Sequence, residues 1–119
     1  MAETINDKRL IDMVRIHDIF GEDKPAIQEF FTSFVDATKV LLVDIKTAIR
    51  NKDETLAKVS FHRLKGSSGN SGVMPIHQLC IRAEDRVLAK DWDEVENLFK
   101  EIENTFKKLQ ERLADQSII

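Results

Sequence analysis

Apolar residues recur at three- and four-residue spacing along most of this chain, and no alternating apolar/polar run is long enough to suggest a strand. The pattern resolves into five amphipathic segments separated by helix start and stop signals. Asn6 is placed to cap a first helix carrying Leu10, Ile11, Val14 and Ile19 and ending near Phe20-Gly21. Asp23, with Pro25 in the first turn, opens a second. Its apolar positions are Ile27, Phe31, Phe34, Leu41, Ile45 and Ala48, flanked by Phe30, Leu42 and Ile49. Asp53 caps a third with Ala57, Phe61, Leu64 and Ser68 on one face, and Pro75 begins a fourth with Ile76, Leu79, Cys80, Ala83 and Val87 inward. Asp91 followed by Glu94 gives a capping-box-like start to a fifth, where Val95, Leu98, Ile102, Phe106, Leu109 and Leu113 form a nearly regular seam.

Short connections between long amphipathic helices predict an all-α fold: an antiparallel four-helix bundle with an additional N-terminal helix packed across it. The expected layout is a single domain over residues 1–119, with an N-terminal lid helix in 1–22, the bundle in 23–115 and a tail in 116–119. A coiled-coil dimer is the competing architecture, but only the last helix has a sustained seam.

Composition narrows the class. With 42% hydrophobic and 33% charged residues, 119 residues describe an ordinary globular chain able to build one modest core. No apolar run approaches the roughly 20 residues of a bilayer span, so no membrane insertion is expected. The opening "MAETINDKR" has no apolar signal core, and the lone Cys80 permits no internal disulfide. Both fit a cytoplasmic location. A net charge of −3 argues against nucleic-acid binding.

The stretch "HRLKGSSGNSG", His62 to Gly72, holds three of the chain's four glycines. Its composition suits a flexible linker, but cutting there leaves a C-terminal piece near the size that needs staples or metals to fold. On a helical wheel His62 lies roughly 130° from the centre of the Ala57–Phe61–Leu64–Ser68 face, so it points outward. Lys58, Val59, Lys65, Gly66 and Gly69 fall within about 60° of it. Two readings are open. Either the helix ends at Lys65 and the glycines start a loop, or it continues to about Asn70, with Gly72 as a left-handed stop. In the second case two mid-helix glycines, each about 1 kcal/mol worse than alanine, leave bare surface around the imidazole. Imidazole titrates near neutral pH and offers an unprotonated nitrogen nucleophile. Phosphoryl transfer depends mainly on positioning and charge compensation. An outward histidine, a lysine one turn on and an open approach meet those needs.

These residues resemble a known family. "FHRLKGSSGNSG" followed by "VMPIHQLCIRAE" is similar to the histidine-containing phosphotransfer (HPt) domains of bacterial phosphorelays. The family's pattern falls on His62, Leu64, Lys65, Gly66, Ser67, Ser68, Gly72, Ile76, Cys80 and Ala83-Glu84. The upstream "IFGEDKPAIQEFFTSF" also looks like the start of the family's second helix. Departures are Arg63, where a small polar residue is common, Val73 for alanine and Ala83 for leucine; Arg63 adds charge beside the site and bears on partner choice. The resemblance implies a four-helix bundle phosphorylated on His62, at Nε2, with Lys65 near the phosphoryl group and Gly66 clearing the approach; Gly69, in the same sector of the wheel, is expected to help keep that approach open. It also implies Glu84 on the next helix as an orienter of His62 through Nδ1. The basic charge of Lys58 and Arg63 beside His62, with Val59 among them, marks the expected receiver-docking surface. The partners implied are response-regulator receiver domains and a hybrid sensor histidine kinase. No resident cofactor or metal is expected, Mg²⁺ being supplied by the receiver, and the protein is expected to be a monomeric phosphocarrier without kinase or ATP-binding activity.

His17 and His77 have no partner at metal-ligand spacing and read as surface or half-buried residues, and Cys80 reads as core. "GSSGNSG" lacks the Gly-Lys-Ser/Thr ending of a nucleotide-binding loop. The competing function is a non-catalytic helical adaptor, or a degenerate phosphotransfer domain that only docks; the joint presence of His62, Lys65 and Gly66 argues against it.

Overall fold

The computed structural model describes residues 10–119. Among these lie five α-helices and no strand: α1 Met13–Phe20, α2 Lys24–Asn51, α3 Glu54–Asn70, α4 Met74–Leu88 and α5 Trp92–Asp115. Connections of residues 52–53, 71–73 and 89–91 are too short to do anything but reverse the chain. Consecutive helices therefore pack antiparallel, and α5 closes the ring against α2.

Local chemistry sets each boundary. The side chains of Asp23, Asp53 and Asp91 accept from the N–H groups of Ala26, Leu56 and Glu94, satisfying donors that the first turn leaves free. The Asp91 start is a simple cap and not the reciprocal box expected: Asp91 N–H donates to Arg86 O, and the Glu94 carboxylate accepts from Asn97 instead. Four helices end in one motif. After α3, Gly72 N–H donates to Gly69 O and Val73 N–H to Ser68 O, with Gly72 at φ 74°. After α2, α4 and α5 the left-handed position is filled by Lys52, Lys90 and Ser117.

The core contains every inward position assigned to α3 and to α5, with Phe31, Phe61, Leu64, Ile76, Leu98, Ile102 and Leu109 among its largest fully buried members. In α2 and α4 most assigned positions are buried, while Leu41 and Leu79 are half-buried. Unassigned buried residues include Ile16, Val35, Thr38, Ser60, Val73, Phe99 and Thr105.

Helix length explains the lid. At about 1.5 Å per residue, α2 and α5 are roughly 42 and 36 Å long, against roughly 26 and 22 Å for α3 and α4. The first part of α2 and the last part of α5 thus project beyond the α3–α4 turn, and apolar surface there needs another cover. The N-terminal segment supplies it: Leu10, Ile11 and Ile16 are buried, and the Phe20 and Phe30 rings meet at 5.1 Å. Asp12 N–H donates to Gly72 O at 2.9 Å and Arg15 Nε to Asn70 O at 3.3 Å, tying the lid to the turn.

This helix differs from its expectation. The expected cap, Asn6, lies outside the described residues, and Asp12 caps α1 by accepting from Arg15 N–H. Leu10 and Ile11 precede α1, while Val14 and Ile19 are exposed, so Ile16 carries its inward face. With only eight residues in α1, tertiary packing outweighs apolar periodicity.

Candidate functional site

The helix through "HRLKGSSGN" is continuous, so the linker reading and the helix end at Lys65 are both excluded. The small hydroxyls beside the two glycines are accommodated by bonding back to the helix's own carbonyls. Ser68, fully buried, donates Oγ–H to Leu64 O at 2.6 Å and lies within 3.2 Å of Lys65 O.

With Ala57, Phe61, Leu64 and Ser68 buried, His62 is turned outward and its side chain is 71% exposed. Nδ1 faces Glu84 Oε2 of α4 at 3.5 Å, too long for a strong hydrogen bond and close enough for electrostatic orientation. Nε2 is the ring nitrogen directed away from that carboxylate. Glu84 Oε1 is shielded from water, meets no donor at hydrogen-bond angles, and is compensated by Lys65 Nζ at 2.7 Å. The structure thus joins three sequence-selected residues in one row, His62–Glu84–Lys65, with both partners of the ion pair less than one-third exposed.

The two mid-helix glycines differ. A Cβ at Gly66 would meet nothing within 4 Å, so the surface beside His62 is open there. A Cβ at Gly69 would lie 3.0 Å from His77 Nδ1 and 3.2 Å from its Cε1, so the space above Gly69 is occupied by the His77 ring. Lys58, Val59 and Arg63 are all exposed on α3. Beside them on α4, Met74, Ile81 and Leu88 are 40%, 43% and 60% exposed. Sequence reasoning missed this apolar stripe, although seven-residue spacing places all three on one face, two turns apart.

His17 is exposed, with Nδ1 2.9 Å from Gly21 O, and His77 is half-buried. Among the described residues no group of three or more His, Cys, Asp or Glu side chains is arranged to hold a metal, and no helix is long and apolar enough to cross a membrane. Cys80 lies under the site in the core. Burial, reinforced by the negative charge of Glu84 and opposed by Lys65, pushes its thiol from 9.0 up to about 12. The unfolded thiol ionises first as pH rises, so stability is full below pH 9 and falls between pH 9 and about 12. Urea unfolding at pH 8 to 10 should therefore show wild type losing stability that Cys80→Ala does not; parallel curves would refute suppressed ionisation.

Fold and site together define the class of helical bundles that display a solvent-facing histidine from mid-helix, with a lysine–carboxylate pair beside it. The chain belongs to the Hpt domain family: the family's profile matches residues 29–116, which hold His62, Lys65, Gly66 and Glu84. No curated protein and no solved structure matches the chain. The Hpt domain is the histidine phosphotransfer module of phosphorelays.

Proposed function

We propose that this protein accepts a phosphoryl group on His62 Nε2 from the aspartyl phosphate of one receiver domain and passes it to the aspartate of another, in the cytoplasm. The observation that carries this reading is the exposed imidazole held between Glu84 and open surface at Gly66. In the forward step the Nε2 lone pair attacks phosphorus, the Nε2–P bond forms, the P–O bond to the aspartyl carboxyl breaks, and the carboxylate leaves. The imidazole proton stays on Nδ1, where Glu84 offsets the positive charge that develops on the ring. Lys65 compensates the phosphoryl oxygens after loosening its hold on Glu84.

Docking combines charge and apolar contact. Lys58 and Arg63 form a basic surface on an acidic chain, suited to an acidic receiver pocket. Val59, Ile81 and Leu88 supply apolar area around it. The test is single-turnover transfer from a phosphorylated receiver. Wild type should label, Lys65→Ala should transfer at least tenfold more slowly (roughly 1.4 kcal/mol of barrier), and added salt should weaken receiver association. A wild type that binds receivers without ever labelling would establish a docking adaptor instead.

A further inference from the structure

His77 has no part in the mechanism above, yet its position is tightly specified. It sits on α4 seven residues before Glu84, hence on the same face two turns away. Its Nδ1 lies 2.8 Å from the backbone oxygen of Lys65. A carbonyl oxygen only accepts, so Nδ1 carries the hydrogen and donates, which fixes the ring tautomer when His77 is neutral. That oxygen already accepts within α3 and has Ser68 Oγ 3.2 Å away. A further donor from another helix is therefore not required for backbone satisfaction.

Room for this bond exists because residue 69 is glycine. Any Cβ there would stand 3.0 Å from His77 Nδ1, closer than ordinary contact allows. Glycine inside a helix is destabilising relative to alanine, and here it leaves the space in which the His77 ring reaches the Lys65 carbonyl. The same α4 face thus holds Lys65 twice, by its backbone through His77 and by its ammonium through Glu84. Glu84 in turn faces His62.

Resting on the phosphotransfer reading, we propose that His77 is a positioning residue for transfer at His62: its hydrogen bond across Gly69 fixes α3 against α4, and so sets Lys65 and Glu84 relative to the imidazole. Small displacements of a charge-compensating group slow phosphoryl transfer without weakening partner binding. The role belongs to the donor at Nδ1, so an amide nitrogen in the same place can fill it.

The test uses single-turnover transfer from a phosphorylated receiver, receiver affinity, thermal melting and nitrogen-15 spectra of the histidine rings. His77→Ala should transfer about five- to tenfold more slowly, as expected for loss of one hydrogen bond, with receiver affinity unchanged. His77→Asn, whose amide nitrogen stands in for Nδ1, should recover most of the rate. Gly69→Ala should slow transfer similarly by displacing the ring. Combined with His77→Ala it should cause no further slowing and should raise the melting temperature, because the clash is gone and the helix gains an alanine. The spectra should show Nδ1 of His77 protonated. The proposal is overturned if folded His77→Ala transfers at the wild-type rate, if His77→Asn is as slow as His77→Ala, or if neutral His77 carries its proton on Nε2. A wild type that accepts no phosphoryl group overturns the phosphotransfer reading and this role with it. A wild type that transfers while His77→Ala transfers equally fast overturns this role alone.

Discussion

His62→Gln is expected to take up no phosphoryl group from a phosphorylated receiver, while its helical content and melting temperature stay close to those of the wild type. The two halves of this result have separate causes. A glutamine amide has no nucleophilic lone pair comparable to that of neutral imidazole, so the N–P bond cannot form. The side chain it replaces is 71% exposed and faces one carboxylate at 3.5 Å, so the core beneath is untouched. Substitutions at such surface positions usually change stability by no more than about 0.5 kcal/mol. Labelling should survive in His17→Gln, whose ring lies on α1 away from the Lys65–Glu84 pair. It should also survive, more slowly, in His77→Gln. Label that persists in His62→Gln, or vanishes with His17→Gln, would move the reactive histidine elsewhere.

The outward direction of His62 was legible because Ala57, Phe61, Leu64 and Ser68 define a buried face unambiguously, and all four are fully buried. The bundle was legible for the same reason: α2 and α5 are long enough for periodicity to average out local exceptions. What periodicity could not supply was the N-terminal segment. There the burial of Leu10 and Ile11 and the exposure of Val14 and Ile19 follow from how far α2 and α5 overhang the α3–α4 turn. The half of the site on α4 was only partly legible. Glu84 entered through a resemblance, whereas the His77–Lys65 bond depends on the register of two packed helices, which no spacing within one helix encodes. The role of Gly69 was hidden by the same dependence, since a wheel places it beside His62 but does not show what fills the space above it.

Gly66 separates access from stability, and its substitutions should move the two in opposite directions. The residue is inside α3 and is not among the glycines with positive φ, so alanine fits its backbone without strain. A Cβ there meets nothing within 4 Å, so alanine introduces no clash either. Gly66→Ala should accordingly stabilise the fold by up to about 1 kcal/mol, because alanine restricts the unfolded chain and favours helix. The added methyl would stand one turn on from His62 and about 40° around the helix, on the surface a receiver's backbone must approach. Transfer should slow in Gly66→Ala and nearly stop in Gly66→Leu, with both proteins fully helical by circular dichroism and at least as resistant to heat as wild type. Gly69→Ala provides the contrast, since its methyl meets the His77 ring and not open solvent. If Gly66→Leu labels at the wild-type rate, partners do not approach His62 over this surface. The glycine would then have to be explained by something other than access, since its own environment leaves room for a Cβ.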